Sequence, residues 1–272
     1  MTMEHVIEGL RRQFAQPMSF ALPKVPSLKG KVSDGEWQIR VDLAAVYRLV
    51  AHHGWDDLLS THIAARIPGE AAMLVNPYGV LFEQVNASCL VKVDLQTLQP
   101  VQPTPFLVNP AAIHFHGNVL RARADAAASV HLHTTAGVAV ATHEKGVMPL
   151  NQRALFLLPM LGYHDYGGLG TNEEEGHELP ESLGDKWLLV MRNHGTLAIG
   201  RTVAQAWVYM FLLERVCQYQ VATLAGGQPL TSLPQEIIDL VPRQAAHTEF
   251  MGAYEWPALL AKLDKLDSSF RN

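Results

Sequence analysis

The chain has 272 residues, a formal net charge of −5 and a hydrophobic fraction of 48%, which allow a large buried core in one domain. Because its charges are interspersed and no apolar stretch has the length of a membrane span, we expect neither nucleic acid nor membrane as a partner. The start of the chain lacks a signal-peptide core, which predicts a cytoplasmic protein.

The first half of the chain predicts an arm, a helix and a small sheet. Residues 1–32 contain three prolines and no sustained periodicity, which indicates a surface arm. Ser33 is a capping residue before apolar residues at helical spacing, and Gly54 stops that helix. Strand-like runs at 59–67, 72–76 and 90–95 are separated by turn residues and predict an antiparallel meander.

The second half mixes both kinds of element. Asn109 and Pro110 open a helix through about residue 123, and residues 129–133 alternate like a strand. Runs at 187–191 and 196–199 predict two more strands, and Thr202 caps a long helix that is apolar on one side and ends at Gly226. We therefore predict an α/β fold, with helices on a mostly antiparallel sheet, over residues 33–230 and a helical tail over 231–272.

A histidine pair is the first candidate for chemistry. Only two cysteines occur, so a metal site would need histidine or carboxylate ligands. His131 and His133 are two residues apart, which on a strand points both rings to one face. His194, on a tight turn after a later strand, adds a third imidazole if the fold brings the strands together. By spacing alone, a polar strand face that binds no metal explains the pair equally well.

Two further histidines are candidates for acid/base catalysis. His114 and His116 fall in the predicted helix about 200° apart, so only one of them can face a site. His116 has apolar neighbours on its side and is either a packed core residue or an acid/base group. His164 is followed by Asp165, which suits an oriented imidazole, although a polar turn explains the same residues.

Several short segments together resemble the class II aldolase/adducin superfamily over about residues 36–227, with the strongest likeness to the adducin head domain. The matching segments are Asn76-Pro77-Tyr78-Gly79, residues 87–93, Val130-His131-Leu132-His133-Thr134, Tyr163-His164-Asp165-Tyr166 and Arg192-Asn193-His194-Gly195. The resemblance implies a single three-layer α/β/α domain, a homotetramer, and one divalent metal ion per chain bound by His131, His133 and His194. It implies zinc foremost, with manganese, iron or cobalt as alternatives, and a small-molecule substrate. We place Asn76, Tyr78 and Asn193 in substrate binding.

One departure from the family pattern concerns the reaction. In the sugar-phosphate aldolases of this family, an acid/base glutamate occupies the position that corresponds to Ala112 of this chain. Their phosphate loop also carries a Gly-Asn element, at which this chain has Ser60-Thr61-His62. The favoured function is therefore a metal-dependent lyase, a decarboxylase of a small oxo or hydroxy acid that works by enolate stabilisation, with His116, His164 or a metal-bound water as proton donor. An aldolase that uses His116 as its acid/base group ranks lower.

A second hypothesis belongs to another class of protein. Adducins also lack the glutamate, so the chain is alternatively a non-catalytic, adducin-like oligomeric binding protein. Its C-terminal residues carry mixed charge rather than a lysine-rich tail, which favours the enzyme.

Overall fold

The computed structural model describes residues 22–168, 173–244 and 249–272. Its helices are α1 (Asp34–His52), α2 (Pro110–Ala122), α3 (Thr135–Ala141), α4 (Gln152–Leu157), α5 (Glu173–Leu183), α6 (Val203–Ala225), α7 (Gln235–Gln244) and α8 (Glu255–Leu266). Its strands are β1 (His62–Arg66), β2 (Ala72–Val75), β3 (Val91–Asp94), β4 (Ala128–Leu132), β5 (Leu161–His164), β6 (Leu188–Met191) and β7 (Gly195–Gly200). Residues 1–21 of the predicted arm lie outside the described residues, and 22–32 form neither helix nor strand.

The seven described strands form one sheet in the order β3-β2-β1-β4-β7-β6-β5. Every neighbouring pair is antiparallel except β5 with β6, so the predicted meander and the mostly antiparallel sheet are confirmed. Helices α1, α3 and α6 pack together on one face, and α2 and α5 pack together on the other. The α/β class and the three layers are confirmed.

Local capping starts the three helices that the sequence predicted. The hydroxyl of Ser33 accepts the backbone N–H of Glu36 (3.2 Å), and the Asn109 side chain accepts the N–H of Ala111 (3.0 Å). Thr202 caps α6 in the same way. The α6 helix is buried on more sides than the single apolar side predicted, because it packs against α1, α3, α4 and α8 as well as the sheet.

The pairing of β4 places the histidines. His131 of β4 lies opposite His62 of β1 on one side and opposite Leu197 of β7 on the other. Successive side chains of a strand alternate between faces, so His131 points toward the α2 layer and Leu132 toward the α6 layer. The next residue of that α2-side series, His133, stands just past the end of the strand.

The C-terminal tail packs against its own domain. The indole N–H of Trp256 donates to Asp42 of α1 (2.9 Å), and Phe270 is fully buried. The backbone N–H of Ala87 also donates to the carbonyl of Phe270 (2.9 Å). Among the described helices, none has both the length and the apolar character that a membrane crossing needs.

Candidate metal centre

Three histidines converge beyond one end of the central strands. His131 and His133 come from β4 and the residue after it, and His194 comes from the turn between β6 and β7. Each offers one ring nitrogen, and the three nitrogens lie within 4.8 Å of one another. The structure therefore brings together the three residues that the sequence grouped.

The turn that carries His194 requires an unusual backbone. Asn193 has a positive φ of 56°, which asparagine tolerates better than most residues, and its N–H donates to the carbonyl of Ala141 (3.1 Å). A Cβ at Gly195 would lie 2.5 Å from the carbonyl oxygen of Leu132 and 2.9 Å from Cδ2 of His133. Glycine at 195 thus allows the turn to approach the end of β4.

Contacts behind two of the rings decide which nitrogen faces the centre. The Nδ1–H of His131 donates to the carbonyl of Thr196 (3.0 Å), and the Nδ1–H of His133 donates to the carboxylate of Asp57 (3.1 Å). Both rings therefore present an Nε2 lone pair. Asp57 was not predicted as part of the site, because a polar residue in a loop carries no periodic signal.

The two lone pairs face each other. The Nε2 atoms of His131 and His133 are 3.0 Å apart. In a tetrahedral zinc site with bonds of 2.0 to 2.1 Å, two nitrogens are about 3.3 Å apart, so the spacing is close to that of a metal site. Two lone pairs at this distance repel unless a cation lies between them. The donor set therefore fits a divalent ion, which His131, His133 and His194 would hold.

Burial keeps two of the candidate ligands uncharged. Burial lowers the pKa of His131 well below its usual value, and the neighbouring rings of His62, His194 and His133 lower it further. Burial, followed by His133 and His164, lowers the pKa of His194 to about 4. Neutral imidazole is the form that binds metal, so both rings are ready to bind an ion at neutral pH.

The ring of His62 separates His116 from the three candidate ligands. His116 is fully buried, its Nε2 is 2.9 Å from Nδ1 of His62, and its Nδ1 is 2.8 Å from the hydroxyl of Ser129. Burial lowers its pKa to about 3. The ring of His62 packs against that of His131 with 5.1 Å between centroids, so His116 reaches the three histidines only through His62. Its catalytic role stays a prediction.

His164, the last residue of β5, lies beside the His194 turn. Its backbone carbonyl accepts the N–H of Arg192 (2.7 Å), and its Nδ1 is 2.8 Å from the hydroxyl of Ser182. Its Nε2 is buried without a partner among the described residues. Two residues later, the half-exposed ring of Tyr166 approaches His194 edge-on at 6.4 Å between centroids. The role of His164 also stays a prediction.

The three residues assigned to substrate binding have different surroundings. The side-chain oxygen of Asn76 accepts the hydroxyl of Tyr47, a residue of α1 (3.0 Å), so this contact lies on the helix layer opposite α2. Tyr78 is half-buried, and its N–H donates to the carbonyl of Leu107, just before α2. Asn193 is exposed on the turn beside His194. Of the three, Asn193 is adjacent to a predicted ligand.

The wall contributed by α2 is apolar. Ala112 is 1% exposed, and one turn later the ring of Phe115 lies 4.7 Å from that of His131, centroid to centroid. Phe115 also packs against His62. Neither α2 residue has a carboxylate, so α2 presents no acid/base group at Ala112.

Comparisons with known proteins agree on one family. The family described as class II aldolase and adducin N-terminal domain matches residues 41–221, more than half of the chain. A Caulobacter vibrioides protein described as "Putative aldolase class 2 protein" is 50% identical over 248 residues, which cover 90% of this chain and 96% of that protein. Rat alpha-adducin is 40% identical over 196 residues, which cover 71% of this chain but 26% of the adducin.

A solved structure shows the same architecture. The crystal structure of an aldolase II superfamily protein from Pseudomonas syringae superposes with a TM-score of 0.85 at 36% sequence identity. The match covers 91% of this chain and all of that one.

Proposed function

Because the chain belongs to the family of class II aldolases and adducin N-terminal domains, we propose that it is a divalent-metal-dependent lyase acting on a small oxo or hydroxy acid. The observation that carries the proposal is the pair of Nε2 atoms of His131 and His133, 3.0 Å apart, with His194 beside them. Three neutral imidazoles with an open fourth position are typical of a catalytic metal site.

Zinc is the proposed ion, because an all-imidazole set suits it, and manganese, iron and cobalt are alternatives. When bound, such an ion supplies Lewis-acid stabilisation of negative charge on a substrate oxygen. The protein's own part is to hold the three rings. The carbonyl of Thr196 and the carboxylate of Asp57 keep two of the lone pairs directed at the centre.

Decarboxylation is favoured over aldol cleavage. Aldol cleavage needs a base for a substrate hydroxyl proton, but the α2 side chain against His131 is Phe115, and Ala112 has no acid/base group. Loss of carbon dioxide needs stabilisation of the remaining negative charge and, afterwards, a proton donor. The half-exposed Tyr166 beside His194 is the side chain that we place against the substrate.

The two predicted proton donors do not reach the centre directly. His116 is separated from the centre by His62, and the Nε2 of His164 is enclosed by protein. Either ring therefore exchanges a proton with a substrate only through a neighbouring group. We propose both as acid/base residues that act through such a neighbouring group.

The test combines metal content with turnover. Protein purified without an affinity tag is analysed for metal by plasma mass spectrometry beside His131→Ala and His194→Ala, with the exposed His52→Ala as the matched control. We expect about one ion per chain in wild type and His52→Ala and none in the other two. Oxo and hydroxyaromatic acids are then screened for release of carbon dioxide. Wild-type protein that takes up no ion on reconstitution contradicts the proposal.

A second function is favoured by the identity with alpha-adducin and by Ala112. In that case the chain is an oligomeric binding protein in which the metal stabilises the fold. Bound metal without turnover of any acid or aldol substrate supports this alternative. We propose a homotetramer in either case, to be measured by sedimentation. The cytoplasmic location stays a prediction.

A further inference from the structure

Two of the three candidate ligands have a protein acceptor behind them, whereas the described residues supply none for the third. The Nδ1–H of His131 has the carbonyl of Thr196, and that of His133 has the carboxylate of Asp57. The Nδ1 of His194 is buried and has no partner among the described residues. A buried ring nitrogen without a hydrogen bond is costly, and metal-binding histidines almost always donate their second N–H.

The enclosed Nδ1 is the atom of His194 that faces the protein. A metal centre that accepts a substrate must stay accessible, so we assign coordination to the other ring nitrogen of His194, Nε2. All three rings then coordinate through Nε2. This assignment requires the proton of His194 to be on Nδ1, where an acceptor would hold it.

His164 has a matching unpartnered atom in the same neighbourhood. Its Nε2 is also buried without a partner among the described residues. The two residues flank one turn: His164 pairs with Met191 across β5 and β6, and the N–H of His194 donates to the carbonyl of Met191 (3.1 Å). The chain then runs from His164 to Tyr166, whose ring lies against that of His194.

We propose that His164 is the positioning residue for His194, and that one buried water molecule joins the Nδ1–H of His194 to the Nε2 of His164. The two nitrogens are not in direct hydrogen-bond contact, and buried water commonly fills such a gap between polar atoms. The proposal rests on the metal site of the proposed function.

One arrangement of hydrogen bonds satisfies both ring nitrogens of His164. The Nδ1–H of His194 donates to the water, the water donates to Nε2 of His164, and the Nδ1–H of His164 donates to the hydroxyl of Ser182 (2.8 Å). In this arrangement Ser182 accepts the proton of His164, which leaves the Nε2 lone pair of His164 for the water that holds the Nδ1–H of His194. The third ligand thereby gains the orientation that Thr196 and Asp57 give the other two.

Substitutions at His164 separate its two nitrogens. Asparagine places a polar atom near the Nδ1 position and keeps the contact with Ser182, whereas glutamine places one near the Nε2 position. We expect His164→Asn to raise the zinc dissociation constant about 10- to 100-fold, measured by competition with a chelator. The zinc dissociation constant of His164→Gln should stay close to that of wild type. Ser182→Ala should weaken zinc binding less than His164→Asn does.

A second readout does not depend on affinity. In zinc-loaded wild-type protein, nitrogen-15 NMR of the His194 ring should show a protonated Nδ1 and a coordinated Nε2. The free energy of unfolding of the metal-free variants tests whether His164→Asn merely loosens the fold. If that variant does not fold, Ser182→Ala and the NMR spectrum still test the proposal.

The outcomes distinguish this proposal from the proposed function. Equal zinc affinity in wild type and His164→Asn, or coordination through Nδ1 of His194, overturns the role of His164 and leaves the metal enzyme standing. Wild-type protein that binds no zinc overturns both. Weakened zinc binding in His164→Asn with wild-type affinity in His164→Gln supports the role, whether or not any substrate turns over.

Discussion

The Nε2 atoms of His131 and His133 face each other at 3.0 Å, each with its lone pair directed at the other ring. The other nitrogen of each ring is already hydrogen bonded, to Thr196 and to Asp57. Two rings held in this way cannot relieve the repulsion by exchanging tautomers without losing one of those bonds. A cation between the two rings would remove this repulsion, which is the physical basis of the proposed metal site.

Metal should stabilise the fold. A ligand that binds only the native state stabilises it by about 2.7 kcal/mol at a free concentration 100 times its dissociation constant. We expect zinc added to metal-free protein to raise the melting temperature, measured by calorimetry. His131→Ala should not respond, whereas the exposed His52→Ala should respond like wild type. An equal shift in all three proteins would indicate binding elsewhere.

Asp57 should matter for metal affinity rather than for folding. Its carboxylate orients the ring of His133, so Asp57→Asn is expected to weaken zinc binding about 10-fold. Because Asp57 is half-exposed, the free energy of unfolding of the metal-free variant should change little. The neighbouring exposed Asp56→Asn is the matched control. Equal affinity in the two variants would contradict the orienting role.

Gly195 should not tolerate a side chain. A Cβ there would lie 2.5 Å from the carbonyl of Leu132, which belongs to a paired strand and cannot move away cheaply. We expect Gly195→Ala to lower the free energy of unfolding by about 1–3 kcal/mol in urea titrations and to weaken metal binding. Gly35→Ala adds the same methyl group in open space in the first turn of α1 and should leave the free energy of unfolding unchanged or raise it by up to about 1 kcal/mol. Wild-type stability in Gly195→Ala would show that the turn can shift.

His116 should make the metal-free protein sensitive to acid. Burial lowers its pKa in the folded state to about 3, whereas the unfolded chain titrates near 6.5. Below pH 6.5 the unfolded state binds a proton that the folded state does not, which favours unfolding. The stability associated with the neutral ring of His116 is therefore fully present above pH 6.5 and is lost as the pH falls toward 3.

A substitution at His116 tests this predicted loss of stability at low pH. Between pH 7.5 and pH 5, His116→Gln should lose less stability than wild type in urea titrations, by at most the linkage of one proton. The exposed His52→Gln should follow wild type. A wild-type pH dependence in His116→Gln would mean that other buried rings, such as His62, dominate.

Local signals explain which elements were predictable. The starts of α1, α2 and α6 follow from Ser33, Asn109 and Thr202, because each cap is formed within three residues. The meander follows from alternation and turns. The elements between β4 and β6 were not predicted, since α3 and α4 are short and β5 sits at the sheet edge next to a single helical turn.

The site was predictable only in part. The spacing of His131 and His133 predicts a shared face, but their meeting with His194 depends on the pairing of β4 with β7. His62 was not identified as a neighbour of the centre, because its position follows from the register of β1 with β4. His116 stayed ambiguous because a buried helix position suits both a core residue and a catalytic one.

The ligands on β4 and on the β6–β7 turn are separated by about 60 residues of chain. Pairing β4 with β7 closes a loop of that length, and the chain loses conformational entropy before any metal coordination stabilises it. We expect the centre to form only after that pairing, so that an ion binds to a nearly complete sheet. Stabilisation that arises after the transition state slows unfolding more than it speeds folding. A bound ion should thus lengthen the lifetime of the folded chain while leaving its refolding rate almost unchanged.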